Sequence, residues 1–172
     1  SNYHPNALVY HPADDSFTIS DLTLEGFVKI KRDGELVWQL GGTNPIGQSF
    51  ELVGVEPWNG NHGHDLGPAG QFLFFNNFPA ATGTLVIELE LDEEAWTATK
   101  VWDHGFSTRS QYLGGTQRLA NGNTSIVISQ GGVIYEVNAG GEVVQSFDNS
   151  VFNLDRSISA WALFGYASFR PT

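Results

Sequence analysis

Residues 115–147 read GTQRLANGNTSIVISQGGVIYEVNAGGEVVQSF, and this stretch decides the fold class. Four short runs of apolar and β-branched residues alternate in it with turn-forming residues. Its Asn-Gly and Gly-Gly pairs suit hairpin turns in which the backbone takes positive φ. The stretch therefore predicts four antiparallel strands, at 115–119, 124–129, 133–137 and 143–147.

The same pattern occurs twice more, earlier in the chain. Strands are predicted at 7–10, 17–20, 27–31 and 36–40, and again at 62–66, 72–76, 84–91 and 99–102. A repeated unit of four antiparallel strands is the makeup of a β-propeller blade. We therefore predict a single all-β propeller domain, with blades at about 4–42, 62–104 and 115–149 and one extra strand at 162–170.

Three blades do not close a ring, because propellers have about four to eight blades. An arc of three would leave an open blade face at each end, and a large exposed apolar face is unusual for a monomer. We therefore expect a partner over these faces. It would be the remaining half of the propeller, a second copy of the chain or another protein chain.

Composition excludes several classes of protein. The 172 residues are 41% hydrophobic, which is enough for a packed core, and 19 acidic against 8 basic residues give a net charge of −11. Binding to nucleic acid needs a basic surface, so no nucleic-acid partner is expected. No segment reads as a membrane span or a signal peptide.

The chain contains neither cysteine nor methionine. The first absence excludes disulfides, thiolate metal sites and a cysteine nucleophile. Because there is no initiating methionine, we expect the chain to begin inside a longer product or to have been processed. Lack of cysteine fits any compartment, and a secreted, periplasmic or extracellular location is the favoured expectation.

Polar residues stand at the start of the predicted inner strands, where the blades of a propeller meet. Polar groups at strand positions that are otherwise apolar destabilise a fold unless they are paired, so a convergent set suggests a binding site. We expect the following residues to meet near the central channel: His4, Asn6, His62, His64, Asp65, Gln117, Arg118, Tyr166 and Arg170.

His62-x-His64-Asp65 permits three interpretations. Residues i and i+2 of a strand share a face, so the two imidazoles would point the same way. They could then bind a metal ion with Asp65 or His4, or they could supply a nucleophile or general base. Otherwise they are two loop histidines bonded to backbone carbonyls. Gln117 and Arg118 likewise could hold an anion, or Arg118 could bond to carbonyls between blades.

Two tryptophans recur at the end of a fourth strand, Trp38 in the first unit and Trp102 in the second. A tryptophan repeated at this position indicates packing between blades more strongly than a platform for a ligand.

Five sequence blocks occur together in an order that is typical of one family. They are H-x-N at His4 and Asn6, KIxRDGELVWQLGG at 29–42, HDLxxxGxFLFFxN at 64–77, TQRLxNGNT at 116–124 and EVxxxGEVV at 136–144. With the terminal pair Tyr166 and Arg170, they span nearly the whole chain. The sequence resembles the C-terminal half of arylsulfotransferase-type proteins.

The resemblance implies a six-bladed propeller, of which this chain would be half. It implies transfer of a sulfuryl group from a small phenolic sulfate ester to a phenol, without a nucleotide sulfate donor. We expect no cofactor and no metal. His64 matches the histidine that is transiently sulfurylated, and His4 and Asn6 match the pair that binds sulfate oxygens. A neutral imidazole would attack sulfur in line while N–H donors stabilise charge on the oxygens.

One position departs from the family pattern. Where transferases of the family tend to have a Ser-Arg pair, this chain has Ser20-Asp21, and a carboxylate near a sulfate would repel it. A second interpretation therefore stays open, in which the chain is a non-catalytic propeller that acts as an interaction or structural subunit of a larger assembly.

Overall fold

The computed structural model describes residues 3–67, 69–78 and 83–148. Within these ranges the chain is all-β, with no helix that could cross a membrane. The predicted extra strand at 162–170 lies outside the described residues, and so do Tyr166 and Arg170.

In the described residues, thirteen strands form three sheets, which we call blades 1 to 3. Blade 1 contains β1 (Pro5–His11), β2 (Ser16–Asp21), β3 (Gly26–Lys31) and β4 (Leu36–Gly41). Blade 2 contains β5 (Glu51–Val53), β6 (Asn61–Leu66), β7 (Gln71–Asn76), β8 (Thr84–Asp92) and β9 (Thr97–Phe106). Blade 3 contains β10 (Gly115–Arg118), β11 (Thr124–Ile128), β12 (Val133–Val137) and β13 (Val143–Asp148).

Blades 1 and 3 are antiparallel meanders in chain order, as the sequence predicts. The turns follow the predicted chemistry, since Gly34 has a φ of 90° and Gly122 a φ of 86°, conformations that glycine adopts without strain. Blade 2 also contains the predicted meander but has a fifth strand. Strand β5 pairs in parallel with β9 at the outer edge, and the sequence did not predict it.

Aromatic side chains join blade 1 to blade 2. Phe27 of β3 is fully buried, with its ring centroid 4.7 Å from that of Phe72 and 5.1 Å from that of Phe74. Trp38 is also fully buried, 6.3 Å from Phe72 and 5.4 Å from Phe50. The prediction that Trp38 packs between blades is confirmed.

A second, smaller core joins blade 2 to blade 3. It contains Phe75 of β7 with Ile126 and Ile128 of β11, and Trp102 packs against its edge. The Arg118 guanidinium of blade 3 lies 5.8 Å from the centre of the Trp102 ring. Trp102 therefore contributes to inter-blade packing, as predicted.

Two buried asparagines bridge units that the apolar cores bring together. The Asn61 side-chain amide donates to Ser20 Oγ at 2.8 Å and to the Gly26 carbonyl at 3.0 Å, both on blade 1. The Asn77 amide donates to the carbonyls of Ser110 and Leu113, in the connection to blade 3, at 2.7 and 2.9 Å. These bonds pair the buried side-chain amides with acceptors on the neighbouring unit, as buried polar groups require.

Candidate functional site

The three inner strands β1, β6 and β10 line one cavity of about 490 Å³. They are neighbours in space because each is the first strand of its meander. The polar residues on the wall come from all three blades, and the cavity is lined by Asn6, Ala7, Leu8, Val9, Gly63, His64, Asp65, Gly115, Thr116 and Gln117. The structure thus brings Asn6, His64, Asp65 and Gln117 of the predicted site together on one surface.

Only one charged side chain, Asp65, belongs to this wall as the described residues define it. One Asp65 carboxylate oxygen accepts a hydrogen bond from the Arg118 backbone N–H at 3.3 Å. With no Lys or Arg side chain on the described wall, an anion here would depend on neutral N–H donors such as Asn6 and Gln117, because the Thr116 hydroxyl donates to the Ser125 carbonyl at 3.1 Å.

His64 is the wall residue with the most unusual surroundings. Its side chain is almost fully buried, stacked on Phe72 at 5.5 Å and meeting the Phe27 ring edge-on at 5.2 Å. Nε2 shares a 2.7 Å hydrogen bond with Thr18 Oγ1 of blade 1, while the buried Nδ1 has no hydrogen-bond partner among the described residues. Burial lowers the pKa of His64 to about 3, so the imidazole is neutral near pH 7.

His62 lies only two residues earlier but has different neighbours. The pairing of β6 with β7 shifts register between Asn61 and His64, which interrupts the alternation of faces. His62 bonds to the Gly114 backbone, next to blade 3, whereas His64 bonds to blade 1, so the prediction that they act from one face does not hold. Burial, with a smaller contribution from the nearby His4, lowers the pKa of His62 to about 4.

The metal interpretation of these histidines finds no support in the part of the chain that the structure describes. No group of three His, Asp or Glu side chains there could hold a metal ion. The different bonding partners of His62 and His64 give the physical reason.

His4 and Asn6 lie at the start of β1. Asn6 reaches the wall and donates its amide to the Asn61 carbonyl at 2.9 Å, whereas exposed His4 precedes the wall residues. The His4 backbone N–H donates to Asp21 Oδ2 at 3.1 Å, and Asp21 Oδ1 accepts from the Leu24 N–H at 2.9 Å. The Asp21 carboxylate therefore caps backbone donors at the end of β2, and it is not a cavity wall residue.

Arg118 turns away from the main cavity. Its guanidinium pairs with Glu88 at 2.5 Å and donates to Thr124 Oγ1 at 2.6 Å. It lines a second cavity of about 390 Å³, beside Asp65 and Glu88. Because Glu88 neutralises it, this geometry favours the structural interpretation of Arg118 over the anion-binding one.

Comparison with known proteins identifies the family. The model of the arylsulfotransferase (ASST) family matches residues 2–150. The chain belongs to the arylsulfotransferase family. The predicted resemblance is thereby confirmed, and His4, Asn6, His64 and Gln117 all lie inside the matched range. No curated protein matches the sequence of this family member.

Solved structures with the same fold differ widely in sequence from this arylsulfotransferase-family chain. The PQQ-bound aldose sugar dehydrogenase of Streptomyces coelicolor matches with a TM-score of 0.57 at 14% identity, covering 83% of this chain and 46% of that one. A Bacteroides caccae protein of unknown function gives 0.51 at 14%, covering 86% and 47%. Virginiamycin B lyase of Staphylococcus aureus gives 0.50 at 12%, covering 84% and 41%.

These likenesses confirm the β-propeller fold and nothing more specific, because the identities are low. The chain spans less than half the length of each of the three proteins.

Two residues of the candidate site in this arylsulfotransferase-family chain were not predicted from the sequence. Thr18 and His11 stand behind His64 on blade 1, and Thr18 is fully buried. The available signal was a polar residue among inward-facing positions of β2, since buried polar side chains need partners. The predicted site residues stand at the start of inner strands, whereas His11 is at the end of β1 and Thr18 is on the second strand, β2.

Proposed function

We propose that this arylsulfotransferase-family chain takes part in sulfuryl transfer from a phenolic sulfate ester to a phenol, through a sulfurylated His64. One observation carries the proposal. A neutral histidine stands on the wall shared by three inner strands, and its Nδ1 has no hydrogen-bond partner among the described residues. A neutral imidazole nitrogen with a free lone pair is a competent nucleophile at sulfur.

The reaction divides into two displacements. In the first, the Nδ1–S bond forms while the bond from sulfur to the aryl oxygen breaks, and the phenolate leaves with the electron pair. In the second, the acceptor oxygen attacks sulfur and the N–S bond breaks. The proton of the acceptor phenol passes through solvent to the phenolate that left in the first step. Overall, the donor loses a sulfuryl group and gains a proton, and the acceptor does the reverse.

Neutral donors would hold the sulfate oxygens in this scheme. Asn6 and Gln117 lie on the same wall as His64, and His4 stands two residues before Asn6. Asp65 on that wall opposes an anion, although it accepts a bond from the Arg118 N–H. Since Nδ1 is buried, the scheme also requires the aromatic wall around His64 to open when the ester binds.

A trapping experiment tests the proposal. We expect brief incubation with p-nitrophenyl sulfate, without an acceptor phenol, to add one sulfuryl group to the protein. Peptide mass spectrometry under non-acidic conditions should place the group on His64, and adding phenol should remove it. A His104→Gln variant is the matched control, because His104 lies on β9 between Trp102 and Phe106, away from the cavity wall.

Two kinds of result would contradict the proposal. Sulfuryl label on His62, on His11 or on no histidine would remove His64 from the role of nucleophile. Label on His64 that phenol does not discharge would contradict transfer while keeping the covalent step.

The second candidate function is a non-catalytic propeller that serves as a structural or interaction subunit. The packing of His64 favours it, because Nε2 is bonded to Thr18 and the ring lies between Phe27 and Phe72. A histidine held this way can stabilise an inter-blade contact without doing chemistry.

A partner that continues the ring is part of the sulfuryl-transfer proposal. In the described residues, blade 1 exposes Leu8 and Tyr10 on β1, and blade 3 exposes Val143, Val144 and Phe147 on β13. We expect native mass spectrometry of the purified protein to find further blades, in a longer polypeptide, a second copy or another chain. Complexes with larger proteins unrelated to propellers would favour the structural subunit instead.

A further inference from the structure

Two histidines share one hydroxyl group on blade 1. Thr18 Oγ1 lies 2.8 Å from His11 Nε2 and 2.7 Å from His64 Nε2. His64 is almost fully buried, whereas His11, at the end of β1, is partly exposed. Two hydrogen bonds through Thr18 Oγ1 therefore connect the candidate nucleophile His64 to a histidine that solvent can reach.

The hydroxyl constrains the protons on both rings, because it has one proton to donate and can accept others. If Thr18 donates to His11 Nε2, His64 must donate its own Nε2–H to Thr18, and its lone pair is then on Nδ1. If Thr18 donates to His64 instead, the proton of His64 is on Nδ1, where no described residue accepts it. The first arrangement avoids a buried donor without a partner.

We propose that Thr18 and His11 are positioning residues that set the tautomer of His64 and exchange a proton with it during sulfuryl transfer. The inference rests on the proposed function and extends it. Thr18 would hold His64 with the proton on Nε2, which leaves Nδ1 as the nucleophile, and His11 would hold its own proton on Nδ1.

The proton exchange follows from the charge that sulfurylation creates. When Nδ1 bonds to sulfur, the His64 ring becomes an imidazolium and its Nε2–H becomes more acidic. That proton passes to Thr18 Oγ1 while the Thr18 proton passes to His11 Nε2, so no proton is lost or gained. The His64 ring is then neutral and carries the negatively charged sulfuryl group on Nδ1. The reverse shift makes the ring an imidazolium again, which is a better leaving group when the acceptor phenol attacks sulfur.

The surroundings of His11 suit a group that accepts a proton only temporarily. Burial and the Lys29 ammonium lower the pKa of His11, while the carboxylates of Asp14 and Asp65 oppose that effect. His11 is thus neutral near pH 7 at rest. The negative sulfuryl group arriving on His64 adds a further charge that favours protonation of His11.

Histidine tautomers can be measured without turnover, by long-range ¹H–¹⁵N spectra of the purified protein near neutral pH. We expect the proton of His64 on Nε2 and that of His11 on Nδ1, with each ring assigned from His64→Gln and His11→Gln variants. Thr18→Val should disturb both rings, whereas Thr18→Ser, which keeps the hydroxyl, should preserve them. A His64 proton on Nδ1, or rings unchanged by Thr18→Val, would overturn the proposal.

Kinetics supply the second readout. With p-nitrophenyl sulfate and phenol, we expect Thr18→Val to lower kcat by about 100-fold with little change in KM, and Thr18→Ser to restore most of it. His11→Gln should abolish the acidic limb of the pH profile. Unchanged kcat in Thr18→Val would overturn the exchange. Absence of any turnover in the parent protein, with the expected tautomers, would instead overturn the proposed function and the exchange with it.

Discussion

Replacing His64 by glutamine is expected to lower sulfuryl transfer by ~10⁴-fold or more, since loss of a covalent nucleophile has effects of this order in other enzymes. Glutamine has a similar length and can still bond to Thr18, but it offers no nucleophilic nitrogen. The loss should therefore appear in kcat, whereas ester binding, which the proposed function assigns to Asn6 and Gln117, should change little. Release of p-nitrophenol from p-nitrophenyl sulfate, with phenol as acceptor, measures both parameters.

The same substitution at His104 provides the control. His104 is on β9, its ring 6.0 Å from that of Trp102 and 4.6 Å from that of Phe106, and it does not line the cavity. His104→Gln should retain the parent activity. A His64→Gln variant that folds, as judged by urea unfolding, yet keeps a tenth of the parent kcat would leave His64 without a catalytic role.

Replacing Phe27 by alanine is expected to destabilise the fold by about 3–5 kcal/mol. Phe27 is fully buried between blades 1 and 2, where its ring meets those of Trp58, Phe72, Phe74 and His64. Removing it loses the transfer free energy of the ring and leaves a cavity that rigid aromatic neighbours cannot fill. Urea unfolding followed by tryptophan fluorescence measures the change, provided that the transition stays cooperative.

Two further variants serve as controls for the stability change in Phe27→Ala. Phe27→Leu retains much of the apolar volume, so it should lie between the parent and Phe27→Ala. Tyr112→Ala removes an aromatic ring that is largely exposed, and we expect it to change the free energy of unfolding by less than about 0.5 kcal/mol. Equal effects of Phe27→Ala and Tyr112→Ala would contradict an inter-blade core centred on Phe27.

Most of the strands could be predicted because they are short runs of apolar and β-branched residues bounded by turn signals. Strand β5 has only three residues, Glu51–Val53, too few to show alternation, and its partner β9 lies more than forty residues later. Parallel pairing over that separation has no local signal in a sequence.

The candidate site was predictable in part. That Asn6, His64 and Gln117 come together follows from placing the first strand of every unit at the axis. The separation of His62 from His64 was not predictable by strand alternation, because a register shift around Gly63 interrupts it. The contact of His64 with Thr18 joins two blades, and a pattern read within one blade does not show contacts of that kind.

Strand β5 has a consequence for how the protein behaves in a crowded solution. Strand β9, the last strand of the blade 2 meander, is ten residues long, and a long unpaired strand edge favours pairing with another molecule. Strand β5 covers the first residues of that edge, from Thr97 to Thr99. Immediately beyond, Lys100 and Asp103 place opposite charges 2.8 Å apart, and edge charges disfavour addition of a foreign strand. Strand β5, which lies between β4 and the blade 2 meander in the chain, thus also disfavours edge-to-edge aggregation through β9.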